Sequence, residues 1–429
     1  MKITFQKSTL RSGAKLVTEN HPYSKSFSVG FWVNVGSRFE NPEIAGITHF
    51  LEHLTFKGTK KRSAFEIAQS LESYGGDLNA FTTKEHTCFH GLVLKENWQQ
   101  ALEILVDITT NMKFSSKDFK NEKNVVIQEI GMSEDTPDDI IYDYLLEALF
   151  PNHPMGKPIL GQIGTIHRLK EAQVYDYYNT FYQGENLVIS CAGNLNHKKV
   201  ESYLNSLLSK KKTKDNTLKK LLLDTKGFEK PEFHRCRLVR EKATEQTHLL
   251  LALPSSTFTD ELRMEAFIVN SLLGGGMTSK LFQSVRENKG LAYSVQSFLH
   301  TLKDTGFITI QAASDGKKIK ELTNVILKEL KLLKKKGISK KEIEFYKNQI
   351  KGSILLGSED IENRMNSLAV NELVFAQPKS VAQIQREIEK ISYDSVHEYL
   401  DNYLQIDKLS GILLGPKVEN QSLWWEQFN

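Results

Sequence analysis

An internal repeat constrains the fold of this 429-residue chain more than any other feature of its sequence. Residues 175–194 align with residues 397–416, and Leu16 corresponds to Leu238, at the same separation of 222 positions. Distant segments share one offset most simply when a sequence has arisen by duplication and then diverged. The chain should therefore contain two halves with the same fold.

Each half carries the pattern of an α+β domain. A strand-like start leads through helical segments to a closing apolar strand, at residues 187–192 in the first half and 409–414 in the second. This pattern favours two homologous α/β-sandwich-like domains, each a mostly antiparallel sheet with helices on one face. The length also suits more than one domain. We expect domains at residues 1–212 and 233–429, joined by a lysine-rich linker over residues 213–232.

The composition argues against several classes of protein. A net charge of +4 is small for this length, so a dedicated nucleic-acid binder is not expected. No stretch reaches the ~18 apolar residues of a transmembrane helix, and the N-terminus lacks the apolar segment of a secretory signal. Cys88, Cys191 and Cys236 show no disulfide framework or C-x-x-C spacing. We expect no membrane partner and a reducing compartment, most simply a bacterial cytoplasm.

A candidate metal site begins with His49, Glu52 and His53, which spell H-x-x-E-H. A helix completes a turn about every 3.6 residues, so these three side chains share one face. This reverse of H-E-x-x-H is a zinc-peptidase signature, in which the histidines bind zinc and the glutamate acts on water at the metal. Asn41 followed by Pro42 predicts the start of the helix. So short a pattern, taken alone, also allows two ordinary histidines beside a solvated carboxylate.

A second predicted helix, residues 115–134, offers candidates for a third metal ligand. Glu122 and Glu129 lie seven residues apart and share a face with two valines. Carboxylates on the apolar side are unusual for a surface helix, where charges face the solvent. The spacing leaves open that both pair with lysines such as Lys123 or flank the core.

The segment 46–61, GITHFLEHLTFKGTKK, resembles the signature of the pitrilysin-type zinc peptidase superfamily, in its processing-peptidase-like bacterial branch. The third zinc ligand of that family is a glutamate at a fixed distance past the second histidine, and here Glu129 lies 76 residues after His53. The resemblance implies one zinc ion per chain, held by His49, His53 and Glu129. It also implies the processing-peptidase-like metallohydrolase fold.

Three further roles follow from the same resemblance. Glu52 would be the general base, and Glu122, one heptad before the third ligand, would orient a ligand histidine. The segment 272–295 resembles the family's glycine-rich loop, helix and strand, which implies that Arg286 and Tyr293 reach the metal site and steady the peptide carbonyl. Without the resemblance, a surface arginine and a core tyrosine would be the simpler interpretation.

The segment 75–83 resembles the family strand that pairs with the peptide substrate. Its central residues, Asn79, Ala80 and Phe81, are therefore candidate substrate-binding positions. A peptide added as an extra strand is bound mainly through its main-chain hydrogen bonds, which suits a peptidase with broad sequence tolerance. A plain buried strand is the alternative for Asn79 and Ala80.

The resemblance implies a zinc-dependent endopeptidase that hydrolyses unfolded peptides or presequence-like segments inside a clamshell chamber. The chain has the half-length of the single-chain family members, so we expect a homodimer first and a heterodimer with a non-catalytic paralogue second. Two alternatives remain: a non-catalytic structural or partner subunit of the same family, and a zinc hydrolase that acts on a non-peptide amide.

Overall fold

The structure is a computed structural model that describes residues 3–208 and 225–416. Its contacts divide the chain into two compact units that are each discontinuous in sequence. Unit 1 comprises Met1–Met132, Lys157–Glu229 and Leu356–Lys379; unit 2 comprises Ser133–Gly156, Lys230–Leu355 and Ser380–Asn429. Residues 213–224 of the predicted linker lie outside the described residues, and the proposed boundaries at 212 and 233 stay a prediction.

Unit 1 contains a six-stranded sheet in the order β1-β2-β6-β3-β5-β4. Strands β2 and β6 are parallel, and all other neighbours are antiparallel. Strand β4 lies at one edge and pairs with β5. The strands are β1 (Thr4–Thr9), β2 (Lys15–Asn20), β3 (Ser26–Val33), β4 (Asp77–Thr82), β5 (Thr87–Leu94) and β6 (Leu187–Gly193).

Unit 2 contains a five-stranded sheet in the order β7-β11-β8-β10-β9, in which β7 and β11 are parallel. This order repeats β2-β6-β3-β5-β4 of unit 1, as a duplication requires. The predicted α+β class with two homologous domains is therefore confirmed. The strands are β7 (Arg237–Glu241), β8 (Thr247–Pro254), β9 (Val295–Thr301), β10 (Gly306–Ser314) and β11 (Ser410–Gly415).

The described residues also form fourteen α-helices. They are α1 (Ile47–Thr55), α2 (Ala64–Glu72), α3 (Trp98–Thr110), α4 (Ser116–Asp135), α5 (Pro137–Leu149), α6 (Ile163–Arg168), α7 (Glu171–Phe181), α8 (His197–Leu207), α9 (Arg263–Gly274), α10 (Ile319–Lys336), α11 (Lys340–Gly357), α12 (Ile361–Phe375), α13 (Val381–Lys390) and α14 (Tyr393–Tyr403). A π-helical turn spans Phe282–Glu287. In the described part of the chain, no helix is both long and apolar enough to span a membrane.

Local sequence signals account for several helix ends. Helix α2 follows a capping box in which Ser63 and Glu66 satisfy each other's backbone N–H groups. Helix α12 begins after Asp360, whose side chain accepts hydrogen bonds from two backbone N–H groups of the first turn. Helix α10 ends at Lys336, directly before Gly337, which has a positive φ of 67° that favours glycine.

The main core of unit 1 lies between one face of its sheet and the helices α1, α3, α7 and α8. Phe31 of β3 points into this core, where Leu51 of α1 and Leu105 of α3 are fully buried. The next residue, Trp32, points to the opposite face because successive side chains of a strand alternate. The helix that carries the H-x-x-E-H motif is therefore anchored on the sheet by its apolar side.

The second face of each sheet is covered by a helix from the other half of the sequence. Helix α12 buries Met365 and Leu368 against Trp32 in unit 1. In unit 2, α5 buries Ile141 and Leu145 in a cluster with β8 and β11. The sequence predicted helices on one face of each sheet; α12 and α5 cover the other face as well. The local pattern of each half could not reveal this second layer, because each of these helices comes from the other half.

Candidate metal centre

Helix α1 carries the H-x-x-E-H motif and begins later than predicted. Asn41 does cap a helical turn, because its side chain accepts a hydrogen bond from the backbone N–H of Glu43, but that turn is the short 3-10 helix Pro42–Ile44. Helix α1 itself starts at Ile47. The preceding residue, Gly46, has a left-handed backbone conformation with a φ of 95°, which separates the two helical elements. The prediction of a helix start at Pro42 was therefore wrong for α1.

Three predicted ligands converge in unit 1. The Oε2 atom of Glu129, on α4, lies 3.4 Å from Nε2 of His53 and 3.8 Å from Nε2 of His49. One ligand atom from each residue lies within 4.8 Å of the other two. Both Nε2 atoms face the Oε2 atom of Glu129, which is buried and forms no hydrogen bond of good geometry. Two imidazoles and a carboxylate with an unsatisfied oxygen fit the ligand preferences of zinc.

Glu122 supports the second histidine. Its Oε2 atom lies 3.2 Å from Nδ1 of His53, and its other oxygen accepts a hydrogen bond from Nζ of Lys57 at 2.6 Å. With Nδ1 engaged by Glu122, Nε2, which faces Glu129, is the atom that would bind a metal ion. The alternative that Glu122 pairs with a lysine is thus found as well, but the lysine is Lys57. Lys123 instead donates to the backbone oxygens of His167 and Leu169.

Lys57 was missed by the sequence analysis, although its position was informative. It lies four residues after His53, a spacing that brings side chains together along a helix. Helix α1 ends at Thr55, with the next residue still in a helical conformation, so this neighbour relation persists past the last turn.

Glu52 is buried beside the predicted ligands and contacts the edge strand. Its Oε2 atom accepts a hydrogen bond of 2.5 Å from Oγ1 of Thr82, the last residue of β4. Burial raises the pKa of the Glu52 carboxyl, and the hydrogen bond from Thr82 opposes that shift. Thr82 was also missed, although it lies one residue beyond the predicted substrate positions.

The pKa values of the two histidines shift in opposite directions. Burial, reinforced by the charge of His53, lowers the pKa of His49 to about 4. Burial would also lower the pKa of His53, but the carboxylates of Glu122 and Glu129 outweigh it and raise that pKa to about 9. The cluster therefore holds a proton on His53, and a cation bound to the same atoms would have to displace it.

The predicted substrate segment forms edge strand β4. Asn79 is exposed, whereas Ala80 is half-buried against the core of unit 1. Phe81 is half-buried, with its ring 5.6 Å from that of Trp32. The strand is thus not the fully buried one of the alternative interpretation, and its role in substrate binding stays a prediction.

Arg286 and Tyr293 lie together in unit 2. The guanidinium of Arg286, in the π-helical turn, lies 4.6 Å from the centre of the Tyr293 ring, within the range of a cation–π contact. Tyr293 is 80% exposed, so it is not a core residue. Their action at the metal centre stays a prediction.

Comparisons with known sequences cover most of the chain. Residues 15–163 match the family described as Insulinase (Peptidase family M16), and residues 168–350 match the Peptidase M16 inactive domain. The chain is 40% identical to the uncharacterized zinc protease YmxG of Bacillus subtilis, over 91% of this chain and 93% of that protein. It is 34% identical to an uncharacterized zinc protease of Streptomyces coelicolor, over 98% and 91% of the two chains.

Solved structures show the same fold at low identity. A protease from Helicobacter pylori superimposes with a TM-score of 0.88 at 21% identity, covering 97% of this chain and 100% of that one. A structure from Pseudomonas fluorescens, described as a peptidase M16 inactive domain, gives 0.85 at 19% identity, covering 97% and 98%.

Proposed function

This chain belongs to peptidase family M16, and from that premise we propose that it is a zinc-dependent endopeptidase that hydrolyses unfolded peptides or presequence-like segments. The convergence of His49, His53 and Glu129 within 4.8 Å carries the proposal. Three protein ligands, with a position left for water, are typical of catalytic zinc sites, whereas structural sites usually use four.

Each polar residue of the site in unit 1 would have a separate role in hydrolysis. Zinc held by the three ligands would supply the Lewis acid that activates water and polarises the peptide carbonyl. Glu52 accepts the proton of the attacking water and passes it to the leaving amine. Thr82 holds one oxygen of Glu52, so the other oxygen is the one used for proton transfer. Glu122 fixes His53 through Nδ1.

The substrate is proposed to bind as an added strand along β4. The edge position of β4 supports this, because its outer backbone groups are not used in the described sheet. Asn79, Ala80 and Phe81 would then set the peptide's register. We also propose that Arg286 and Tyr293 donate to the peptide carbonyl as negative charge develops on it.

Assembly and location complete the proposal. Two copies of this chain would enclose the peptide in a clamshell chamber as a homodimer, with a heterodimer containing a non-catalytic paralogue as the second choice. Light scattering of the pure protein should give twice the chain mass of 48.9 kDa; a stable monomer would contradict the homodimer. The three free cysteines suit a reducing compartment such as the bacterial cytoplasm.

A mixture of unstructured peptides tests the activity. The purified protein is incubated with the mixture, with and without a chelator, and the products are read by mass spectrometry. Fragments that disappear with the chelator support the peptidase. Stoichiometric zinc without cleavage would favour a non-peptide hydrolase, and a protein that binds no zinc would favour the non-catalytic subunit.

Glu52→Gln separates hydrolysis from metal binding. The amide cannot accept the water proton, so we expect the variant to bind zinc like the wild type and to lose most of its activity, typically ~100-fold or more. Glu72→Gln, an exposed glutamate on α2, is the matched control and should be fully active. An active Glu52→Gln protein would refute the assignment of the general base.

A further inference from the structure

The start of helix α1 lacks a side-chain cap of its own. Its N-cap residue is Gly46, which has a φ of 95° and no side chain to accept a hydrogen bond. A Cβ atom at this position would lie 2.8 Å from the backbone oxygen of Leu160 and 2.9 Å from Cα of Gly161. The serine, threonine or aspartate that usually caps a helix is therefore excluded here by both backbone conformation and space.

Glu40 supplies the missing cap from six residues upstream. Its Oε2 atom accepts a hydrogen bond of 2.7 Å from the backbone N–H of Gly46, and its Oε1 atom accepts one of 2.8 Å from the N–H of Thr48. The first N–H groups of a helix have no partner within the helix, so these two would otherwise be unsatisfied. Glu40 is only 3% exposed, and burial raises its pKa to about 7, while the hydrogen bonds from Thr48 and Gly46 oppose that shift and favour the charged form.

The capped residues are directly followed by a predicted metal ligand. Thr48 precedes His49 in the chain, and its hydroxyl lies 2.9 Å from the hydroxyl of the fully buried Tyr177. Helix α1 has only nine residues, so His49 lies in its first turn. A helix this short depends on its surroundings for stability, and loosening of the first turn would displace His49 relative to His53 and Glu129.

We propose that Glu40 is a positioning residue of the metal centre, which holds the first turn of α1 so that the two histidines face Glu129. This inference rests on the proposed metal site, but it concerns a carboxylate that accepts hydrogen bonds from the backbone of Gly46 and Thr48. A purely structural Glu40 would stabilise the fold without affecting zinc affinity in the folded protein.

The test is the zinc affinity of Glu40→Gln, measured by competition with a chromophoric chelator. The amide keeps one acceptor oxygen but replaces the other by an NH2 group, which cannot accept from a backbone N–H. We expect the zinc dissociation constant to rise ~10- to 100-fold, the range typical of residues that support metal ligands. Glu43→Gln, an exposed glutamate three residues on, is the matched control and should leave the constant unchanged. Glu40→Asp keeps both oxygens and should recover part of the lost affinity.

Hydrogen exchange gives a readout that needs neither metal nor activity. In the metal-free wild type, the amides of Gly46 and Thr48 should exchange slowly, although helix-start amides usually exchange fast. In Glu40→Gln both should exchange faster. This measurement tests the proposal even if the variant does not fold, because rapid exchange of both amides in the wild type would by itself overturn it.

The possible failures are distinguishable. A folded Glu40→Gln protein with the zinc affinity of the wild type would overturn the role of Glu40 and leave the proposed peptidase intact. A wild-type protein that binds no zinc would instead refute the proposed function.

Discussion

At the residue scale, Thr82 links the predicted substrate strand to the predicted base. It lies at the end of β4 and donates to Glu52 at 2.5 Å, so the same strand that would receive the peptide also orients the carboxylate. A group that orients a catalytic residue acts mainly on the rate of chemistry, because small displacements of reacting groups are costly.

Thr82→Val should therefore lower kcat by ~10-fold or more with little change in KM, since valine keeps the shape of threonine but removes the donor. Thr82→Ser keeps the hydroxyl and is the matched control, expected to stay within a few-fold of the wild type. Steady-state kinetics on one peptide substrate measure both constants. A Thr82→Val enzyme with unchanged kcat would show that Glu52 needs no such support.

The environment of His300 in unit 2 should make the stability of that unit depend on pH in the acidic range. Its ring stacks on Phe307 with centroids 4.7 Å apart, and Nε2 lies 2.9 Å from Oγ1 of Thr309. Burial lowers the pKa of His300 from 6.5 to about 4. The folded state thus binds this proton less well than the unfolded state, and stability that is present above pH 6.5 is lost as the pH falls towards 4.

The loss should amount to about 3 kcal/mol between these pH values, because one pKa unit corresponds to ~1.4 kcal/mol. His300→Gln removes the titrating group, and urea unfolding of unit 2 should then vary less between pH 6.5 and 4.5 than in the wild type. Equal pH dependence of the two proteins would contradict the assignment to His300.

At the element scale, a buried ion pair fastens α12 to the sheet of unit 1. The guanidinium of Arg364 donates to both oxygens of Glu19 on β2, at 2.7 Å from Nη2 and 3.2 Å from Nε. His21 contacts the same carboxylate at 2.9 Å. Burial alone would raise the pKa of Glu19, but the hydrogen bonds from His21 and Arg364 outweigh it and lower that pKa.

Arg364→Met should destabilise unit 1 by about 3 to 5 kcal/mol, because it leaves a buried carboxylate without its main partner. The double variant Arg364→Met, Glu19→Met removes both charges and should recover much of this loss. Lys289→Met, which breaks an exposed pair with Glu321, is the control and should cost less than about 1 kcal/mol. Equal urea midpoints of Arg364→Met and the wild type would contradict the role of the pair.

At the scale of the whole molecule, each unit borrows one helix from the other half of the sequence. Unit 1 includes residues 356–379, with α12, and unit 2 includes residues 133–156, with α5. Each borrowed helix covers an apolar sheet face, so neither half of the sequence holds all parts of its own unit.

Residues 1–208 produced alone should therefore expose the apolar face around Trp32 and Cys88 and aggregate or bind a hydrophobic dye. The same residues fused by a flexible linker to residues 356–379 should aggregate less, bind less dye and unfold cooperatively, although α5 keeps its own apolar side uncovered in both proteins. Size-exclusion chromatography and thermal unfolding compare the two. A soluble, cooperatively folded 1–208 fragment would show that α12 is dispensable for this unit.

The sequence by itself determined the features that local periodicity or the repeat could encode. Helical spacing alone placed His49, Glu52 and His53 on one face, and the resemblance of residues 46–61, confirmed by the family membership, selected Glu129. The 222-residue offset similarly anticipated the common strand order of the two sheets.

Only the tertiary structure revealed the contacts that support these features. Glu40 caps α1 because the packing around Gly46 excludes a local cap, and Thr82 meets Glu52 because β4 runs beside α1. Helix α12 packs against β2 and β3, more than 300 positions earlier in the chain, and no periodicity records such a pairing. Sequence patterns report which face of an element is apolar, but burial against distant partners decides which polar groups need each other.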